Sequence, residues 1–168
     1  KPHAYSLLAL YPCATQADGE FGVQFDIFYK FQKGTLLGGE YGTKLDINYS
    51  RINGLNGGAS FLNDHKEHIP MLISIKDEDL YFNDINLEIN KKISKKINAN
   101  FIIANQTYNK DFLEGHTKGD YGVLNSTILI TDVTYKIKKG HSIRIELQKL
   151  NSKQLEHAEE LAEGDGRM

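Results

Sequence analysis

Phe21-Gly22-Val23-Gln24-Phe25-Asp26-Ile27-Phe28-Tyr29-Lys30-Phe31 decides the fold. Its odd positions are Phe, Val, Phe, Ile, Tyr and Phe, and its even positions are mostly Gly, Gln, Asp and Lys. Successive side chains of a β-strand point to opposite faces, so period two makes this a strand with one apolar and one polar face. A helix would mix apolar and charged residues on every face here, and the aromatic and β-branched content favours extended backbone.

The same texture recurs along the chain. Tyr41–Tyr49 sets Tyr41, Leu45, Ile47 and Tyr49 against Gly42, Lys44, Asp46 and Asn48. Tyr81–Ile93 sets Tyr81, Ile85, Leu87, Ile89 and Ile93 against Asp84, Asn86, Glu88, Asn90 and Lys92. Ile97–Ile103, Thr127–Ile137 and Ile143–Leu147 follow, the second blurred by Ile128 and Ile130, and a shorter strand is expected near His3–Tyr11. That makes about seven strands in an all-β, antiparallel, up-and-down meander, read as part of an incomplete transmembrane β-barrel. Residues 1–168 form a single segment of it, and a short loop helix is expected over residues 154–162, where Leu155, Ala158, Leu161 and Ala162 share a helical face.

Composition narrows the function. With 20 basic against 22 acidic residues the formal charge is −2, which argues against a nucleic-acid binder. The single Cys13 excludes an internal disulfide framework and a Cys-rich zinc site. No apolar run approaches the ~20 residues of a transmembrane helix, a test to which alternating membrane strands are invisible. The chain opens at Lys1-Pro2 without a signal peptide, and both ends read as cuts inside a longer protein.

Three features favour a membrane barrel over a soluble one. Eleven residues at ~3.3 Å span ~36 Å, or ~28 Å when tilted ~40°, close to the ~25 Å apolar band of an outer-membrane barrel. Short connections at Gln32–Thr35, Ser94–Lys96 and Lys138–His141 alternate with long ones near residues 53–80, 109–125 and from 151 onward. Aromatics gather at strand ends: Tyr29, Phe31 and Tyr135 near the short turns, and Phe21, Tyr49 and Tyr81 near the long loops. The expected lipid-facing residues are Phe21, Phe25, Ile27, Tyr29, Ile47, Tyr49, Leu87, Ile89, Phe101, Tyr135 and Ile145. The expected lumen-facing residues are Asp26, Lys30, Lys44, Asp46, Glu88, Arg144 and Glu146, whose mixed signs imply no ion preference. The alternative is a soluble β-barrel or sandwich that buries the same apolar face and binds an apolar ligand inside it.

Gly19–Lys30 with Gly38–Ser50, and the hairpin Leu87–Lys96, resemble the strand–turn–strand units of a large, poorly characterised family of Gram-negative outer-membrane β-barrel proteins of the Bacteroidetes type. The resemblance covers roughly residues 1–150. It implies an internal fragment of a longer barrel with a structural or porin-like transport role in the cell outer membrane, with the lipid bilayer as partner and no nucleic acid. It brings no catalytic motif and no cofactor.

Other chemistry is sparse. His65-Lys66-Glu67-His68 and the His157/Glu160 pair lack the further ligands a metal needs, and Asp77-Glu78-Asp79 lacks calcium-loop spacing. His141 and Ser142 are adjacent and so on opposite faces of a strand, a poor geometry for the alternative of a barrel hydrolase. Neither Gly38-Gly39 nor Gly57-Gly58 is followed by the Lys-Ser/Thr of a phosphate loop.

Overall fold

The computed structural model describes residues 5–16, 19–54, 80–114 and 122–155. Six antiparallel strands form one open sheet in sequence order: β1 (Glu20–Phe31), β2 (Thr43–Gly54), β3 (Leu80–Lys92), β4 (Ile97–Asn109), β5 (Val123–Lys138) and β6 (His141–Leu155). A four-residue helix, α1 (Lys110–Leu113), follows β4, with the Asn109 side chain accepting from the Phe112 N–H.

The meander follows from the alternation and from turn chemistry. β5 and β6 join through Lys139-Gly140, where Gly140 has φ +79°, a left-handed conformation that an L side chain rarely adopts. Ile93–Lys96 joins β3 to β4, its Ser94 hydroxyl accepting from the N–H groups of Lys96 and Ile97. The β1–β2 connection is longer than the expected Gln32–Thr35 turn. It runs to Gly42, because Thr35 folds residues 35–39 into a compact turn, donating to the Gln32 carbonyl at 2.7 Å and accepting from the Gly38 N–H. These connections share one end of the sheet, and residues 55–79 and 110–122 connect strands at the other.

Two further expectations are corrected. Among the described residues there are six strands, not about seven, because Leu7–Ala9 is a single 3-10 turn rather than a strand. That turn lets Leu8 reach down onto the sheet. The helix expected from residue 154 does not start there: Gln154 and Leu155 finish β6, paired with Leu124 and Val123. The rest of that stretch, with His157 and Glu160, lies outside the described residues, as do His65, His68 and Asp77–Asp79.

The buried core lies on the even-numbered face of β4 and β5. Ile102, Ala104, Ile128 and Ile130 are at most 2 % exposed under Tyr5 and Leu8, with Leu7 and Leu150 at the margin. Burying four such side chains contributes roughly 1.5–3 kcal/mol for each large one. A second contact closes the long-loop end. Tyr81, at the register shift of β2 and β3, packs its ring against Phe112 (5.2 Å between centroids) and its phenol over Gly54, where any Cβ would collide with it. Tyr81 is therefore buried rather than part of an interfacial aromatic row.

Candidate functional site: two opposed faces of the sheet

The register brings the odd-numbered residues of the strands into one continuous apolar face. One cross-strand row reads Ile27–Ile47–Leu87–Ile103–Leu129 and ends at Lys149 on β6, and the next reads Tyr29–Leu45–Ile89–Phe101–Thr131–Leu147. The eleven residues expected to face lipid all belong to it. No described residue covers them. Phe25 and Ile145 are each 62 % exposed, Tyr29 57 % and Phe101 42 %, while Phe21, Ile47, Tyr49, Leu87 and Ile89 are half-buried by their strand neighbours. Tyr29 and Phe31 make an edge-on ring contact at 4.8 Å, and Phe25 stacks on Tyr49 at 6.4 Å.

The apolar band runs obliquely to the hydrogen-bonded rows. In the row Phe25–Tyr49–Ile85–Asn105–Thr127–Asn151 the first three residues are apolar and the last three polar. Nearer the short turns, Thr43 and Lys91 are polar while Ala99, Val133 and Ile145 in the same row are apolar, with Phe31 on the edge strand the exception. The band thus slides by one to two rows from β1 to β6. A level belt around a cylinder of tilted strands slides against the hydrogen-bonded rows in this way.

Charge is sorted by face as well. All seven strand carboxylates (Glu20, Asp26, Asp46, Asp84, Glu88, Asp132 and Glu146) stand at even positions. The only ionised side chains at odd strand positions are Arg51, Lys91, Lys149 and Lys153, and each lies at or beyond a margin of the apolar band.

The seven residues expected to face a lumen share the even face and fall into two groups. Asp26 accepts from Asn48 Nδ2 at 2.7 Å and Gln24 Nε2 at 3.0 Å in the β1–β3 half, where Lys30 stands opposite Lys44 and Asp46 opposite Glu88. In the β4–β6 half, Arg144 donates to Asp132 at 2.7 Å and to Glu146 at 2.8 Å. Glu88 joins that group through Asn100, whose Nδ2 donates to Glu88 at 2.8 Å.

The N-terminal segment is fastened to this second group. The Tyr5 hydroxyl donates to Asp132 Oδ2 (3.0 Å) and accepts from Asn100 Nδ2 (3.0 Å), and the Arg144 guanidinium sits 5.3 Å from the Tyr5 ring centre. Gln148 accepts from the Leu7 N–H at 3.1 Å, donates to the Ser6 hydroxyl at 3.3 Å and is itself held by Glu146. Tyr11 stacks on Tyr108 at 5.4 Å. Burial, reinforced by the Asp132 carboxylate and opposed by the Asn100 hydrogen bond, pushes the Tyr5 phenol above its ordinary pKa. In the same segment burial pushes the Cys13 thiol up to about 11, with Glu20 adding to it.

Asp132, Asn100, Gln148 and Tyr5 were missed as site residues by sequence reasoning. The blur at Ile128 and Ile130 was the available signal: apolar residues on an otherwise polar face need a cover, and the polar residues beside them anchor it. His141 Nδ1 turns back to the Lys139 carbonyl at 3.2 Å and does not meet Ser142. Among the described residues no three His, Cys, Asp or Glu side chains converge to hold a metal, and no helix is long and apolar enough to cross a membrane, which says nothing of crossing by strands.

No curated protein and no solved structure matches the chain. One family profile matches residues 1–163, and on that extent the chain belongs to the family of unknown function DUF6029.

Proposed function

We propose that this chain is a segment of an outer-membrane β-barrel of the Gram-negative, Bacteroidetes type, with a structural or transport role and no catalytic chemistry. Its odd face meets lipid and its even face meets the lumen. The carrying observation is an apolar face that crosses all six strands without cover from the described residues, with the strand carboxylates confined to the opposite face. A soluble sheet must cover such a face, because contiguous exposed apolar area of this kind is an aggregation hazard.

The obliquity of the band and the grouping of short turns at one end agree with tilted membrane strands. On β5 the band from Leu129 to Ile137 spans ~30 Å of strand, or ~23 Å at a tilt of ~40°, close to the ~25 Å required. The open edges at β1 and β6 require further strands in a bilayer, since lipid satisfies no backbone N–H or C=O. The N-terminal segment then lies inside the lumen against β4–β6, so any porin-like channel runs past β1–β3 and the strands that complete the cylinder.

Assembly of the longer parent protein in lipid vesicles tests this reading through two neighbouring residues. Leu87→Arg puts a charge into the lipid-facing band and costs roughly 2–4 kcal/mol near the bilayer midplane, whereas Asn86→Arg, on the polar face, is mild. Equal loss of assembly at the two positions would contradict the assignment of faces.

A further inference from the structure

We infer that the long-loop end of β5 and β6 is a binding site for phosphate-bearing lipid headgroups, a step that rests on the odd face meeting lipid. Immediately beyond the apolar band on β6, Lys149 and Lys153 project on the odd face, both exposed and with no carboxylate among the described residues paired to either. They lie ~13 Å apart along the strand, too far to share one phosphate, so each takes its own. Their aliphatic stems reach along the band while the ammonium groups extend to headgroup level.

A shallow polar hollow adjoins Lys153, lined by Asn105, Thr107, Asn125, Thr127 and Asn151. Two cross-strand pairs fix its chemistry. Thr127 donates to Asn105 Oδ1 at 2.8 Å, and Thr107 donates to Asn125 Oδ1 at 2.9 Å. Each threonine occupies the carbonyl end of its amide, leaving the NH2 end as a donor to an outside acceptor. Oriented donors beside Lys153, on a face whose described strand residues include no carboxylate, suit phosphate oxygens and sugar hydroxyls. The complementarity therefore selects an anionic lipid with a phosphorylated, hydroxyl-rich headgroup, in the leaflet on the side of the long loops.

The test reconstitutes the full-length protein, with the strands that complete the cylinder, into phosphatidylcholine vesicles doped with lipid A, scores insertion by protease protection, and reads enrichment of labelled lipid A around the protein by energy transfer. Each of Lys149→Gln and Lys153→Gln is expected to lower enrichment by about fivefold, with both together multiplying the losses. Lys30→Gln, on the other face, leaves enrichment unchanged. Undiminished enrichment in the inserted double variant overturns the inference and spares the barrel reading. Displacement of lipid A by equimolar inorganic phosphate overturns the choice of a lipid over the free ion. A wild-type full-length protein, carrying the strands that complete the cylinder, that fails to insert overturns both the inference and the barrel reading.

Discussion

The two halves of the sheet obey the same alternation and differ in what covers their even faces. In β1–β3 that face is open and mostly polar, with Asp26, Lys30 and Lys44 exposed, Phe28 an exposed apolar exception and Ile52 and Phe82 half-buried towards the long-loop end. In β4–β6 it carries Ile102, Ala104, Ile128 and Ile130, and the chain supplies its own cover in Tyr5 and Leu8. Where this fold means to bury apolar side chains, it brings a segment to do so. The odd face is apolar in both halves and receives no such segment from the described residues. The contrast between a covered patch and a face of the same sheet that no described residue covers is what the proposed contact with lipid accounts for.

The largest effect that separates the two environments is expected from a matched pair of truncations. Ile130→Ala opens a cavity beneath the N-terminal segment and should cost about 2–5 kcal/mol. Ile145→Ala, 62 % exposed, should stay within about 0.5 kcal/mol in detergent. Denaturant unfolding of both variants in one detergent reads the difference, and similar costs would mean that Ile145 is buried as well.

A smaller effect is expected at the anchor of the cover. Tyr5→Phe removes the hydroxyl that bridges Asp132 and Asn100, which keep Arg144 and Glu88 as partners, a loss of about 0.5–1.5 kcal/mol in docking of the segment. The Tyr5 hydroxyl also gives docking a pH dependence. Its pKa in the folded chain is raised above the ordinary 10.0, so its contribution is complete below pH 10.0 and is lost as pH rises through the raised value. Protease sensitivity of the segment should therefore increase at alkaline pH in the wild type, and Tyr5→Phe should flatten that part of the profile. An unchanged alkaline profile in the variant would assign the transition to another group.

Much of the fold was legible because alternation survives wherever one face is apolar and the other polar. The paired registers of β1 to β4 follow the odd and even sets read from Phe21–Phe31, Tyr41–Tyr49, Tyr81–Ile93 and Ile97–Ile103. The strand ends were not legible. Arg51 and Asn53 on β2, Asn105 and Thr107 on β4, and Asn151 and Lys153 on β6 make the odd face polar at these ends. Ladder hydrogen bonds hold these ends, and they leave no hydrophobic period to detect. For the same reason Gln154 looked like the start of a helix. Leu7-Leu8-Ala9-Leu10 was misread as a strand because a short apolar run does not reveal whether it pairs with a sheet or lies across one. The anchors of the cover were invisible for a related reason: Tyr5 meets Asp132 across 127 residues of sequence, a separation that local pattern cannot bridge.

Depth-resolved quenching tests the assignment of faces most directly. With Cys13 replaced, a single cysteine carrying a fluorophore is placed at Ile47 or Leu87 on the odd face, and at Asn48 or Asn86 on the even face, in the full chain assembled in vesicles. Quenchers attached to lipid acyl chains should extinguish the labels at 47 and 87 and spare those at 48 and 86, and an aqueous quencher should not reach 47 or 87. Labels at 47 and 87 that escape the acyl-chain quencher while the chain is inserted would mean that protein, not lipid, covers the apolar face.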